Sequence, residues 1–506
     1  MSIIANNNEN DKNNENNENN ENDKNDKNEN VSSYLGQKGY TIYKDAITIK
    51  EQQFIREELT VRPFIPKSPV QMPSFPIYRE SKDKFYIPRY FGEEYYGEPD
   101  ESRISEGDNI SIQFKGALRD YQQNISDIYM KKISQGKIGG GGLLDLQTGM
   151  GKTVIALNII SRVGKKALII VHKGFLLNQW VERIEQYLPT ARVGRLQGQT
   201  IDIEEKDIVI GMLQSLSMKD YPADLFKSFG ITIVDEVHHI SSEVFSRSLL
   251  KIVTRYTLGL SATMNRKDGL TKVFKMYLGD ILFKTLTKRD DKVIVKAIEY
   301  KTNDEEFNEL ETDFRGNPKF STMITKLCKF NHRSEYIINI IKKELDENPE
   351  QQMIILAHNK SLLTYLHDAI EHRNIASVGY YVGGMKEEAL KKSESKKVII
   401  ATYAMASEGL DIPTLTTLLF ATPKTDITQS VGRILRTKHT NPLVIDIIDQ
   451  HEIFKLQWSK RKAYYIKNKY KIIQTHDYLS NDWKVKYDPD EEKPKKKKES
   501  KCLVQL

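Results

Sequence analysis

Leu146-Gln-Thr-Gly-Met-Gly-Lys-Thr153 lies between an apolar run, Leu143-Leu-Asp-Leu, and a helical stretch, Val154-Ile-Ala-Leu-Asn-Ile-Ile. A glycine-rich turn between a strand and a helix is the setting in which backbone N–H groups face a phosphate chain. Gly149 and Gly151 free the backbone to curl, and the helix N-terminus adds positive potential. Lys152 supplies a mobile cation for the β- and γ-phosphates, and Thr153 a hydroxyl for Mg²⁺. Leu146 stands where the strict pattern has its first glycine. The neighbouring run Gly139–Gly142 precedes the strand, so it is expected to be a flexible turn.

Outward from this loop, short β-branched runs alternate with helical stretches. Ala167-Leu-Ile-Ile-Val, Asp207-Ile-Val-Ile and Ile231-Thr-Ile-Val make one set. Val293-Ile-Val-Lys-Ala-Ile, Met353-Ile-Ile-Leu-Ala, Val398-Ile-Ile-Ala-Thr, Thr417-Leu-Leu-Phe-Ala and Leu443-Val-Ile-Asp-Ile-Ile make a second, with a charged, mostly helical stretch at 299–350 between the sets. Such runs suit strands buried on both faces of a parallel sheet. The fold class expected is therefore α/β: two tandem doubly wound parallel-sheet domains, at 111–290 and 291–475.

The flanks differ. Residues 5–30 are almost entirely Asn, Glu, Asp and Lys, a tract with no apolar surface to bury, and 1–30 is expected to be a disordered Asn-rich tail. Residues 31–110 are rich in Tyr, Phe and Pro, and prolines at 63, 66, 69, 73, 76 and 88 argue against long helices. This stretch reads as a small accessory module of short strands. Its aromatics are better read as a core than as a base-stacking surface. Residues 476–506 read as a basic low-complexity tail, with a lysine run at 495–498.

Composition sets the limits. The chain has 506 residues, 39% hydrophobic and 29% charged, and no apolar run reaches the ~18 residues of a membrane helix. Two cysteines, Cys328 and Cys502, exclude a disulfide scaffold and a Cys-based zinc site. An intracellular, non-membrane location is expected, cytoplasm or nucleus. Net charge is +7, with −5 on residues 1–30 and so +12 on the remainder, which suits a polyanionic partner.

A nucleoside triphosphate site also needs an acid for the metal. Ile231-Thr-Ile-Val-Asp-Glu-Val-His-His places Asp235 and Glu236 at a strand's C-terminal end, where open α/β sheets bind ligands. Asp235 can hold Mg²⁺ through water, and Glu236 can orient the attacking water. His238 and His239 lack a metalloprotease spacing, and His238 is expected to relay between the nucleotide and the second domain.

These residues resemble superfamily 2 helicases and translocases. Asp235-Glu-Val-His238 looks like their DExH box and Thr148-Gly-Met-Gly-Lys-Thr153 like motif I, so both domains are expected to be RecA-like. Leu118-Arg-Asp-Tyr-Gln-Gln123 is similar to an element whose glutamine reads adenine, which maps onto Gln122. Ser261-Ala-Thr263 matches motif III, residues 401–411 (Ala401 to Asp411) motif V, and Gln429-Ser-Val-Gly-Arg-Ile-Leu-Arg436 motif VI. The motifs follow the family's order from Phe114 to Arg436. The Leu-Arg-x-Tyr-Gln element, the DEVH box and the Gly-Arg-Ile-Leu-Arg ending resemble the repair and transcription-factor branch. Arg266-Lys-Asp268 sits where that branch carries Arg-Glu-Asp, with a different central residue. The layout also resembles transcript-release-type helicases of large nucleocytoplasmic DNA viruses.

The resemblance implies ATP and Mg²⁺ as cofactors. Thr148, Gly149, Met150, Gly151, Lys152 and Thr153 would hold the phosphates, Thr153 and Asp235 the metal, and Asp411 a ribose hydroxyl. Gln429 would help place the water, and Arg433 and Arg436 would reach the γ-phosphate when the cleft closes. Nucleic acid would lie opposite the cleft, held through its backbone near His172-Lys173, Gln214-Ser215, Asn359-Lys360 and Thr402. DNA is favoured over RNA by the branch resemblance, and transcription machinery is a candidate partner. The alternatives are an RNA helicase of the same fold and a nucleotide-dependent scaffold that binds duplexes without unwinding them. Oligomeric state is left open.

Overall fold

The computed structural model describes residues 32–64, 71–147, 149–239, 243–262, 264, 268–285, 292–408, 410, 412–435 and 442–491. Two eight-stranded, mostly parallel sheets flanked by helices form tandem RecA-like lobes, as the alternation of apolar runs predicts.

In the first sheet the order is Thr200–Asp202, Val193–Gln197, Ile208–Met212, Ala167–Val171, Ile231–Asp235, Tyr256–Ser261, Gly140–Asp145, Ile281–Lys284. Only Thr200–Asp202 runs antiparallel. All five residues of Ala167–Val171 are buried, as a strand covered by helices on both faces requires. Tyr256–Ser261 lies between the strand that ends at Asp235 and the strand that ends at Asp145. The phosphate loop and the acidic pair therefore emerge on the same C-terminal edge of the sheet, one strand apart.

The second sheet runs Val378–Tyr381, Val398–Thr402, Met353–Ala357, Thr417–Phe420, Leu443–Asp449, Ile294–Tyr300, Lys471–Thr475, Lys484–Tyr487, with only the last strand antiparallel. Two buried ion pairs anchor Leu443–Asp449 to its helices. Arg333 donates to both oxygens of Asp449 at 2.5 and 2.8 Å, and Arg461 to both oxygens of Asp446 at 2.8 Å. Such forks satisfy charges that would otherwise be costly to bury. Asp446 and Asp449 are thus framework residues.

Two expectations change. The glycine run is strand, not turn: Gly140–Asp145 begins within it. A Cβ at Gly141 would run into Thr257 Oγ1 and the Tyr90 hydroxyl, and one at Gly142 into Leu282. Glycine serves there for close approach, the other reason it occurs inside a strand. The folded chain also passes the expected boundary at 475: Lys484–Tyr487 pairs with Lys471–Thr475, and Tyr478 is buried against Glu344.

Before the first lobe, five strands (Arg79–Glu80, Lys84–Ile87, Gly39–Tyr43, Ser33–Gly36, Glu101–Ser102) form a small sheet with helices Ile49–Glu58 and Arg89–Tyr96. Thr48 and Glu51 close a capping box at the first helix, and Pro88 directly precedes the second. Tyr40, Phe85 and Phe91 are fully buried, so these aromatics build the module's core. Arg89 ties the module to the first lobe through the carbonyls of Arg255 and Ile138.

Candidate nucleotide site

Gly149 and Gly151 adopt φ of 84° and 79°, the left-handed region where side chains are strained, and Gly151 caps the helix Lys152–Val163. Leu146, at the place of the missing glycine, is completely buried, and its N–H donates to Ser261 O at 2.9 Å. The loop thus begins one residue after a core anchor. On its other side, Gln122 Nε2 donates to Met150 O at 3.0 Å and Tyr121 OH to the same oxygen at 3.3 Å. Gln122 Oε1 accepts from Arg119 N at 3.0 Å. Each end of the Gln122 amide makes one such bond, so it braces the phosphate loop while a second N–H and a second lone pair of the amide remain for a base.

Lys152 opens that helix, and its ammonium lies 2.6 Å from Glu236 Oε1. Glu236 Oε2 accepts from Ser261 Oγ at 3.3 Å, and that hydroxyl lies 3.1 Å from His238 Nδ1. The His238 ring is therefore joined to the strand end of its own lobe. Glu236 has φ of 53°, unusual for a residue with a side chain. The strain is borne at the acid nearest the lysine.

Asp235 accepts a hydrogen bond at Oδ2 from Trp180 Nε1, 2.9 Å away. Trp180 comes from the helix Gly174–Tyr187 and is 2% exposed. The two neighbouring carboxylates are driven apart. Burial pushes Asp235 above the usual carboxylate range, against the pull of Lys152. Glu236 is also opposed by burial, but Lys152, His238 and Arg433 together hold it below that range.

The cleft holding these groups has a volume of about 600 Å³ and is shared between the lobes. Gly149, Gly151, Lys152, Thr153, Asp235 and Glu236 line it from the first lobe, Gln429 and Arg433 from the second. Arg433 is 6% exposed, and its guanidinium donates to Ala406 O at 2.6 Å and Leu410 O at 2.8 Å. Two bonds cross between lobes further along: Asn178 to Glu387 at 2.7 Å and Lys391 to Glu182 at 2.6 Å. Thr148, Thr263, Arg266, Asp411 and Arg436 lie outside the described residues.

The residues expected near nucleic acid also sit at C-terminal strand ends. His172 follows Ala167–Val171, Gln214 and Ser215 lie on the helix after Ile208–Met212, Asn359 and Lys360 follow Met353–Ala357, and Thr402 ends its strand. In each lobe they share the sheet edge that carries the cleft residues instead of facing away from it. Ser215 is committed, its hydroxyl accepting from Gly198 N at 2.8 Å, and Asn359 caps the helix Lys360–His372 through Ser361 N.

Trp180 is the residue that sequence reading missed. No motif marks it, since it touches Asp235 from 55 positions away through a different helix.

Comparisons with known proteins identify the family. The family described as "Type III restriction enzyme, res subunit" matches residues 115–266, and "Helicase conserved C-terminal domain" matches residues 335–439. The chain is 36% identical over 476 residues to a protein named as a candidate ATP-dependent RNA helicase of Acanthamoeba polyphaga mimivirus, covering 91% of this chain and 89% of that one. It is 26% identical over 389 residues to one named as a candidate helicase of Invertebrate iridescent virus 6, covering 71% and 83%. It is 27% identical over 383 residues to one named as a candidate ATP-dependent RNA helicase of African swine fever virus, covering 68% and 74%.

Proposed function

The chain belongs to the superfamily 2 helicases and is similar to those of large DNA viruses; from that premise we propose how its residues divide the work of ATP hydrolysis and which strand it moves on. It is an ATP-hydrolysing helicase or translocase, and helicases of this family act on nucleic acid.

In our reading Gly149, Met150, Gly151 and Lys152 hold the triphosphate, with Thr148 beside them. Asp235 and Thr153 offer a carboxylate and a hydroxyl on one cleft wall, a hard-oxygen pair that suits Mg²⁺. When bound, that ion would offset phosphate charge. Glu236 orients the attacking water, Gln429 helps to place it, and Arg433 and Arg436 stabilise charge as it develops. Asp411 takes a ribose hydroxyl. The observation that carries this reading is the shared cleft, lined by Glu236 of the first lobe and Arg433 of the second. Hydrolysis then depends on lobe closure, which links chemistry to motion.

Asn359, Lys360, Thr402, His172, Lys173, Gln214 and Ser215 make the nucleic-acid track, held through phosphates and so tolerant of sequence. We favour DNA as the strand, with transcription machinery as the setting, because of the branch the motifs resemble. RNA is the second reading, favoured by the names of two relatives. Steady-state ATP hydrolysis by the full chain with single-stranded DNA, duplex DNA and RNA decides between them. Stimulation by DNA supports the first reading, and stimulation by RNA alone overturns it. Displacement of a labelled strand from a forked duplex separates a helicase from a scaffold.

A further inference from the structure

Phe314 is 91% exposed, far more than any other large apolar side chain among the described residues of the second lobe. An aromatic left in water on a floppy loop would mean little, but this loop is firmly built. Thr312 and Pro318 form an antiparallel bridge, and Asp313 N donates to Asn317 O at 2.8 Å. Asp313 Oδ1 accepts from the N–H groups of Arg315 at 2.8 Å and Asn317 at 2.9 Å. Gly316 takes the left-handed corner with φ of 78°. Lys319 N donates to Glu311 O at 2.8 Å, closing the base of the loop. The Arg315 guanidinium stands 5.0 Å from the Phe314 ring centroid.

Its location gives the tip a use. The chain leaves Ile294–Tyr300 at the sheet edge that also carries Asn359 and Lys360, with two parallel strands between them, and reaches the loop after the short helix Glu305–Asn308. Phe320, just past its base, packs edge-on against His358 with centroids 6.2 Å apart. The acidic residues before the tip are partly covered by Lys326, which donates to the carbonyls of Glu306 and Glu309 and lies 3.6 Å from the Glu311 carboxylate.

We propose that Phe314, with Arg315 beside it, is a stacking platform for a base of the single strand that passes Asn359 and Lys360. A flat ring accepts any base, and an adjacent guanidinium adds attraction to both the base and its phosphate. Nothing in the helicase motifs assigns this loop. The proposal rests on the track reading given above, through the position of Lys360.

The test compares full-length wild type, F314A, F314W and K360A for binding to fluorescent oligo(dT) and to an abasic oligonucleotide of equal length. F314A is expected to weaken oligo(dT) binding by about tenfold to a hundredfold and to leave abasic binding unchanged. F314W should retain affinity, and its added indole emission should be quenched by oligo(dT). K360A should weaken both ligands alike. Unchanged oligo(dT) binding by F314A, or equal losses on both ligands, overturns the platform. A normal K360A with a defective F314A instead overturns the track reading while the platform stands.

Discussion

Lys152 and Glu236, 84 positions apart in the chain, meet at 2.6 Å on the first-lobe wall of the nucleotide cleft. The lysine that our reading assigns to the γ-phosphate is thus held by the acid assigned to the water. A triphosphate that takes Lys152 frees Glu236 in the same event, so binding itself arms the acid.

E236Q removes the charge that holds Lys152. Turnover is expected to fall at least about a hundredfold, while binding of a fluorescent ATP analogue is kept or tightened. K152A should lose both. Phosphate release together with analogue titration checks the pair of outcomes.

W180F removes the only indole N–H that reaches Asp235 among the described contacts while keeping an aromatic ring. That hydrogen bond lowers the Asp235 pKa against the larger upward push of burial. Without it the carboxylate protonates at higher pH. The acid limb of the kcat-versus-pH profile should therefore move upward, and an unmoved limb would detach Trp180 from the site.

The difference between what was legible and what was not is physical. Lys152, Asp235 and Arg433 were legible because each lies in a short local pattern, and the runs around Ala167–Val171 and Met353–Ala357 are apolar because both faces are buried. Trp180 was not, because its partner is distant in sequence. Gly141 was misread because glycine marks a turn and a close approach with the same letter; only the positions of Tyr90 and Thr257 separate the two. Gln122 was legible as important, but its two bonds to neighbouring backbone are a property of the folded loop.

G141A tests that close approach. The added methyl would meet Thr257 and the Tyr90 hydroxyl that joins the accessory module to the first lobe. Overpacking of this kind costs about 1–3 kcal/mol. A shift of the urea midpoint to lower concentration is expected.

Cys328 is 7% exposed on the helix Phe320–Lys329, and burial pushes its thiol up to about 11. Because the folded value exceeds the unfolded one, the contribution is whole below about pH 9 and is lost as pH rises toward 11. At pH 8 an aromatic disulfide reagent should modify Cys328 only after denaturation, as peptide mapping of the labelled chain would show.

The central claim is that one triphosphate is served by charges from both lobes. Its most direct test is ATP hydrolysis by full-length R433Q, with saturating single-stranded nucleic acid and binding of the fluorescent analogue measured alongside. A glutamine removes the charge and keeps a side-chain N–H for one of the two carbonyls, Ala406 O and Leu410 O, that Arg433 holds. The account predicts turnover lower by about a thousandfold with analogue binding changed by no more than a few-fold. Wild-type turnover in R433Q would contradict it.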